Sequence, residues 1–148
     1  MRARACAALM TAATAMLAPL SAMAGTLQAC RTAQPEAGDV AHCVQAARKA
    51  ALAELAAVES ARRNDLRTRV AAKDGIDRGA AMAFDRTVRA HQLYRQAECD
   101  LSRRLARNTP DADLAEAACE ADLSRERIGA LREAAQPATP AAAPAAPN

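Results

Sequence analysis

Cys30, Cys43, Cys99 and Cys119 are the residues of this chain best equipped for chemistry. Such thiols can form disulfides, hold a metal or act as nucleophiles, and their spacing decides among the three. No Cys-x-x-Cys pair occurs, which sets redox catalysis aside, and the two histidines, His42 and His91, stand far apart in sequence. Zinc binding by His42 and Cys43 would need neighbouring ligands splayed apart and others brought from elsewhere, so neither a metal site nor a cofactor is expected. In an oxidising compartment an even number of cysteines reads as disulfides. Four cysteines allow three pairings, and spacing alone does not choose among them. The midpoint of Cys99 and Cys119 is residue 109, inside the Asn108-Thr109-Pro110 breaker, and that of Cys30 and Cys43 falls in Gln34-Pro35-Glu36. Segments meeting at such turns bring each pair of sulfurs level. This favours Cys30 with Cys43 and Cys99 with Cys119, each closure contributing about 3 kcal/mol in the chain-entropy account.

No Gly-rich phosphate loop, His-Glu-x-x-His or Gly-x-Ser-x-Gly occurs, and neither histidine stands beside a nucleophile, so no catalytic residue is assigned and the chain is read as a non-enzyme. Acids are numerous, but carboxylates on a solvated helix are the ordinary case and imply no glycosidase chemistry. Two groups stand out for binding. Tyr94, Arg95 and His91 form the least ordinary cluster in an Ala-rich chain, and Tyr and Arg are frequent anchors of protein interfaces. Their spacing equally puts Tyr94 on an apolar helix face, where it fills a seam while Arg95 pairs with Glu98 or Asp100 and His91 sits at the core edge; this is the preferred reading. Asp111, Asp113, Glu116, Glu120 and Asp122 make a stretch without a basic residue. Glu116 and Glu120 could steer a basic partner. The stronger account is that acids stabilise a helix start and otherwise lie on a solvated face.

These residues need a scaffold and a compartment. Arg2 and Arg4 precede an uncharged run from Ala5 to Leu20, and small residues follow, ending Ala22-Met23-Ala24. The pattern predicts an export signal cleaved after Ala24, hence a periplasmic or secreted protein. The run is shorter than the roughly 20 residues that cross a bilayer, and no later segment is apolar enough to anchor the chain. Leu27-Gln28-Ala29-Cys30 loosely resembles a lipoprotein box, but Gln28 fits it poorly and no lipid anchor is expected. Residues 1–24 carry two of the 20 Lys+Arg and none of the 17 Asp+Glu, including Cys6 among what is lost, so the remainder has a net charge of +1. The general case for nucleic-acid binding disappears with that surplus.

From Asp39 to about Lys73 there is no proline or glycine, and Val44, Ala47, Ala51, Leu55, Val58, Leu66 and Val70 recur at helical spacing, interrupted by Arg62. Asp74-Gly75 supplies a stop, glycine readily taking the left-handed cap conformation. Asp77 can cap a second helix to about Arg107, with Gly79 in its first turn and Phe84, Val88, His91, Tyr94, Leu101 and Leu105 close to one face. A third begins with Thr109 as cap, Pro110 at the first helical position and Asp111 in the first turn. Leu114, Ala117, Ala121, Ile128 and Leu131 carry it to about Ala135. Residues 136–148, nearly all Pro, Ala and Thr, read as an extended tail, and residues 25–38 as a segment tied on by a disulfide. The expected fold is all-α, a helical hairpin or three-helix bundle with two disulfides over residues 39–135. With no Trp, one Phe and one Tyr, its core must be thin.

The stretch Phe84-Asp85-Arg86-Thr87-Val88-Arg89-Ala90-His91-Gln92-Leu93-Tyr94-Arg95-Gln96-Ala97-Glu98-Cys99 resembles the LprI-like lysozyme-inhibitor family of bacterial envelope proteins, in which a Gln-x-x-Trp segment leads into Tyr/Phe-Arg and a cysteine. The likeness continues at Cys119, Leu123, Ser124, Arg127, Ile128 and Leu131, and Cys30 and Cys43 fit its cysteine order, so it spans about residues 30–132. Val88 and His91 stand where that family usually has Gln and Trp. The resemblance implies a helical, disulfide-linked fold and a lysozyme partner bound by occupying the enzyme. A structural or accessory envelope domain whose helical face packs on another protein or on its own copy, without lysozyme contact, is the alternative class.

Overall fold

A computed structural model describes residues 25–34, 36–73 and 77–136. Four α-helices and no strands occur among them: α1 (Thr26–Ala33), α2 (Ala37–Ala71), α3 (Ala80–Leu105) and α4 (Ala112–Ala135). The all-α expectation holds, with one short helix added to the three long ones. Residues 1–24, expected to be an export leader, residues 137–148 of the expected tail, Pro35 and the expected Asp74-Gly75 stop lie outside the described residues.

Alanine, leucine, arginine and glutamate make α2 continuous over 35 residues, a rod of about 50 Å. Its last turn closes through Ala72 N–H to Thr68 O (2.9 Å) and Lys73 N–H to Val70 O (3.2 Å). Lys73 itself takes the left-handed conformation, φ 57°, two residues before the glycine expected to do so. A non-glycine residue there costs about 1–2 kcal/mol.

The expected caps differ. Gly79, not Asp77, precedes α3, with no side-chain cap; Asp77 contributes its carbonyl, which accepts from Ala80 N–H at 2.9 Å. At α4 the helix proper starts at Ala112, and Pro110 lies in the preceding turn, outside the helix. There Thr109 Oγ1 donates to Ala106 O (2.8 Å) and accepts from Asp111 N–H (3.3 Å). Asp111 occupies the cap position without capping, because its carboxylate is bonded to Arg31 of α1.

Helix α4 is the centre of the molecule, lying against α2, α3 and α1. It runs parallel to α2, as Arg48–Glu120 and Glu54–Arg132 ascend together, and antiparallel to α3, where Cys99 meets Cys119 and Arg103 meets Glu116. The pairing favoured by the two turns is the one formed: Cys30–Cys43 with Cα atoms 5.8 Å apart and Cys99–Cys119 at 5.5 Å. One apolar cluster joins α1, α2 and α4 through Cys30, Val40, Val44, Ala117 and Ala118. A second gathers Leu55, Ile128 and Leu131, with Val58 and Phe84 against them. Between the two, Ala121 and Ser124 are fully buried. Small side chains there let the helices approach closely.

The apolar face expected of α3 divides in two. Val88 is buried and Phe84 and His91 are half-buried, whereas Tyr94, Leu101 and Leu105 are exposed. Cys99 explains the division. It lies within about 20° of Val88 around the helix, while Tyr94, Leu101 and Leu105 fall about 120–160° away from it. The bond to Cys119 turns Cys99 inward and those three outward.

Candidate interaction site

Helix α2 places a carboxylate where its stripe should be apolar. Glu59 follows Leu55 by four residues and precedes Leu66 by seven, so it shares their buried face and is only 7% exposed. Around it stand the cations of three helices. Burial pushes its carboxyl above the ordinary 4.5, against the opposing pull of Arg127, Arg63 and Arg95 in that order. No protein group bonds its Oε1.

Opposite Glu59, Arg95 of α3 donates from Nη1 to Ser124 Oγ at 3.3 Å, and Ser124 donates to Glu120 O at 2.6 Å. Arg127 of α4 donates from Nη2 to Thr87 Oγ1 at 3.0 Å. The Nε atoms of both arginines and His91 Nδ1 are buried without a protein partner. His91 titrates below its ordinary 6.5, first through burial, then through Arg127 and Arg95; the Leu123 backbone and Glu126 push weakly the other way. Each buried unbonded polar atom costs about 1–3 kcal/mol. This layer therefore lowers stability and holds donors ready for an incoming acceptor.

The layer opens to the surface beside Tyr94. A pocket of about 210 Å³ lies between α3 and α4, lined by His91, Tyr94, Leu123, Glu126, Arg127 and Ala130. Tyr94 is exposed, so it does not fill the seam preferred for it from spacing. Arg95 bonds Ser124, and Asp100 pairs instead with Arg103 (2.7 Å) and Arg104 (2.6 Å). A larger groove of about 760 Å³ shares Leu123, Glu126 and Ala130 with this pocket and runs on to Gly25. The two depressions flank one ridge of α4.

Four of the five acids of this stretch find partners within the molecule. Asp111 pairs with Arg31, Glu116 with Arg103 at 3.2 Å and Glu120 with Arg48. Asp122 accepts from Thr26 N–H at 3.1 Å through both oxygens and from Thr26 Oγ1, and so caps α1 from another helix. Arg125 completes the arrangement, donating to Thr26 Oγ1 at 2.6 Å. A Cβ on Gly25, the N-cap residue, would lie 2.8 Å from Asp122 Oδ2, so a larger residue there would push that carboxylate from its place.

Sequence reasoning brought His91, Tyr94 and Arg95 to one place, and they are together. It passed over Glu59, whose phase with Leu55 and Leu66 was a readable sign of burial. Ser124 was equally in step with Ala121 and Ile128. Among the described residues no group of three or more His, Cys, Asp or Glu could hold a metal, and no helix is long and apolar enough to cross a membrane. A family model described as "Lysozyme inhibitor LprI" matches residues 28–131. No curated protein and no solved structure gives a match.

Proposed function

The chain belongs to the LprI family of lysozyme inhibitors, and from that premise we propose that it is exported, binds a peptidoglycan-degrading lysozyme and inhibits it by occupying the enzyme rather than by chemistry. The observation that carries this reading is the family match, which takes in all four mature cysteines and every residue of the polar layer. Export rests on Arg2, Arg4, the apolar run and Ala22-Met23-Ala24. A protein so processed would begin at Gly25 and reach an oxidising compartment that suits both disulfides.

Tyr94 and the adjoining pocket are the contact we assign to lysozyme. An exposed tyrosine brings large rigid area at small entropic cost. Behind it, Arg127 offers a buried Nε–H that a partner's carbonyl or carboxylate would satisfy, and His91 lines the same pocket. Arg95 acts indirectly, holding the α3/α4 seam through Ser124. Glu116 and Glu120 serve the fold first, their charges being held by Arg103 and Arg48, so any steering they exert is secondary.

Purified protein beginning at Gly25, titrated into a lysozyme turbidity assay, should slow lysis to a plateau near one equivalent. Tyr94→Ala should weaken inhibition about tenfold or more, the loss typical of a truncated aromatic anchor. Unaltered lysis at a large excess of correctly disulfide-bonded protein would overturn the reading and leave the accessory-domain alternative standing.

A further inference from the structure

Helix α3 carries a second apolar face for which the bundle has no use. Ala90, Leu93, Tyr94, Ala97, Leu101 and Leu105 lie within an arc of about 120°, all directed away from the buried Val88 and Cys99. Leu93 is 68% exposed and Leu105 80%, and Met82 extends the stripe toward the start of the helix. From Met82 to Leu105 it runs about 35 Å. Contiguous exposed apolar surface of this kind marks an interaction site.

The charges along the stripe identify its occupant. Arg86 and Arg104 fall inside the arc and Arg89 about 40° beyond its edge, while Arg107 follows the helix end. Arg86, Arg89 and Arg107 are exposed and make no ion pair within the described residues. Of the acids flanking the stripe, Asp100 is already shared by Arg103 and Arg104, and Glu98, about 20° beyond the opposite edge, is outnumbered by the unpaired arginines, so the face keeps a net positive charge. A second copy of the chain would set the arginines of one stripe against those of the other, and a basic protein would meet like charge. Leucines and a tyrosine interleaved with arginines suit a surface that is apolar just beneath a layer of negative charge. Arginine stems can lie along the apolar region while their heads stay among the phosphates.

We propose that this face of α3 seats the protein on an anionic lipid surface, lying on the bilayer and not crossing it. The proposal does not rest on lysozyme inhibition; Tyr94 borders both the stripe and the α3/α4 pocket, so lipid seating and enzyme contact at Tyr94 are mutually exclusive states. A protein seated in this way would hold its α4 ridge beside the membrane.

Tyr94 is a built-in reporter, being the one tyrosine in a chain without tryptophan. The protein beginning at Gly25 should sediment with phosphatidylglycerol-containing vesicles and not with phosphatidylcholine alone. Its emission should become less accessible to acrylamide, and salt should release it. Leu93→Ser with Leu101→Ser, and separately Arg86→Glu with Arg104→Glu, should each reduce partition at least about tenfold. Circular dichroism should show unchanged helix, since these side chains are exposed. Sedimentation equal for both vesicle types, absence of binding, or variants that bind like the parent would overturn the proposal. So would a dimer on sizing that the leucine variant abolishes, or loss of lysozyme inhibition in that variant, which would assign the face to the enzyme.

Discussion

Glu59 and His91 share one polar layer and are shifted by it in opposite directions. Glu59 is held above 4.5, so its contribution to stability is fully present below that value and is lost as pH rises through its raised folded value. His91 is held below 6.5, so its contribution is present above that value and is lost as pH falls through its lowered folded value. Denaturant titrations between pH 4 and 8 should resolve the two. Glu59→Gln should gain on the parent as pH rises above 4.5, because the variant has no buried charge to create. His91→Asn should lose part of the acid-side decline, because it cannot be protonated beside Arg127 and Arg95. Curves for parent and both variants that run parallel across the range would show that the layer does not couple to protons.

The helices show where sequence pattern carries information and where packing overrides it. The buried stripe of α2 and the inward residues of α4 follow a 3.6-residue period, and Val44, Ala51, Leu55, Leu66, Ala117, Ala121, Ile128 and Leu131 are buried as their spacing requires. Helix α1 was illegible for the opposite reason. Eight residues do not sustain a helix alone, and this one exists because Asp122, 96 positions from Thr26, caps it and Cys43 ties it down. The outward face of α3 was illegible because apolar spacing there fits an arc wide enough for two orientations, and the choice is made by a disulfide to another helix. Asp122→Ala should cost about 1–2 kcal/mol, as loss of a helix cap does. Amide exchange should quicken in Thr26–Ala33 and leave α3 unchanged. Equal quickening throughout would mean that α1 is not separately secured.

At the scale of the whole molecule the question is what holds a bundle with so little to bury. Among the described residues the largest fully buried side chains are a valine, a cysteine and a serine, and leucine and isoleucine are buried at only Leu55, Leu66, Ile128 and Leu131. Surface ion pairs such as Arg62–Asp65 add little, typically below about 1 kcal/mol each. The disulfides close spans of 13 and 20 residues, each restricting the unfolded chain by about 3 kcal/mol, a large fraction of the stability of a domain this size. The two should not be equivalent in effect. Replacing Cys30 and Cys43 by serine loosens α1 and the first apolar cluster while α3 stays on α4. Replacing Cys99 and Cys119 removes the bond that fixes the rotation of the weakly packed α3, so Phe84 and Val88 lose their seat and Tyr94 has a route inward. Thermal unfolding of the two double-serine variants, followed by Tyr94 emission and circular dichroism together, should therefore separate them. The first should unfold at lower temperature with its native Tyr94 signal intact before the transition. The second should show altered Tyr94 quenching even at low temperature, where helix content is still high. A native Tyr94 environment in the second variant would mean that side-chain packing alone orients α3, and that the disulfide only reinforces it.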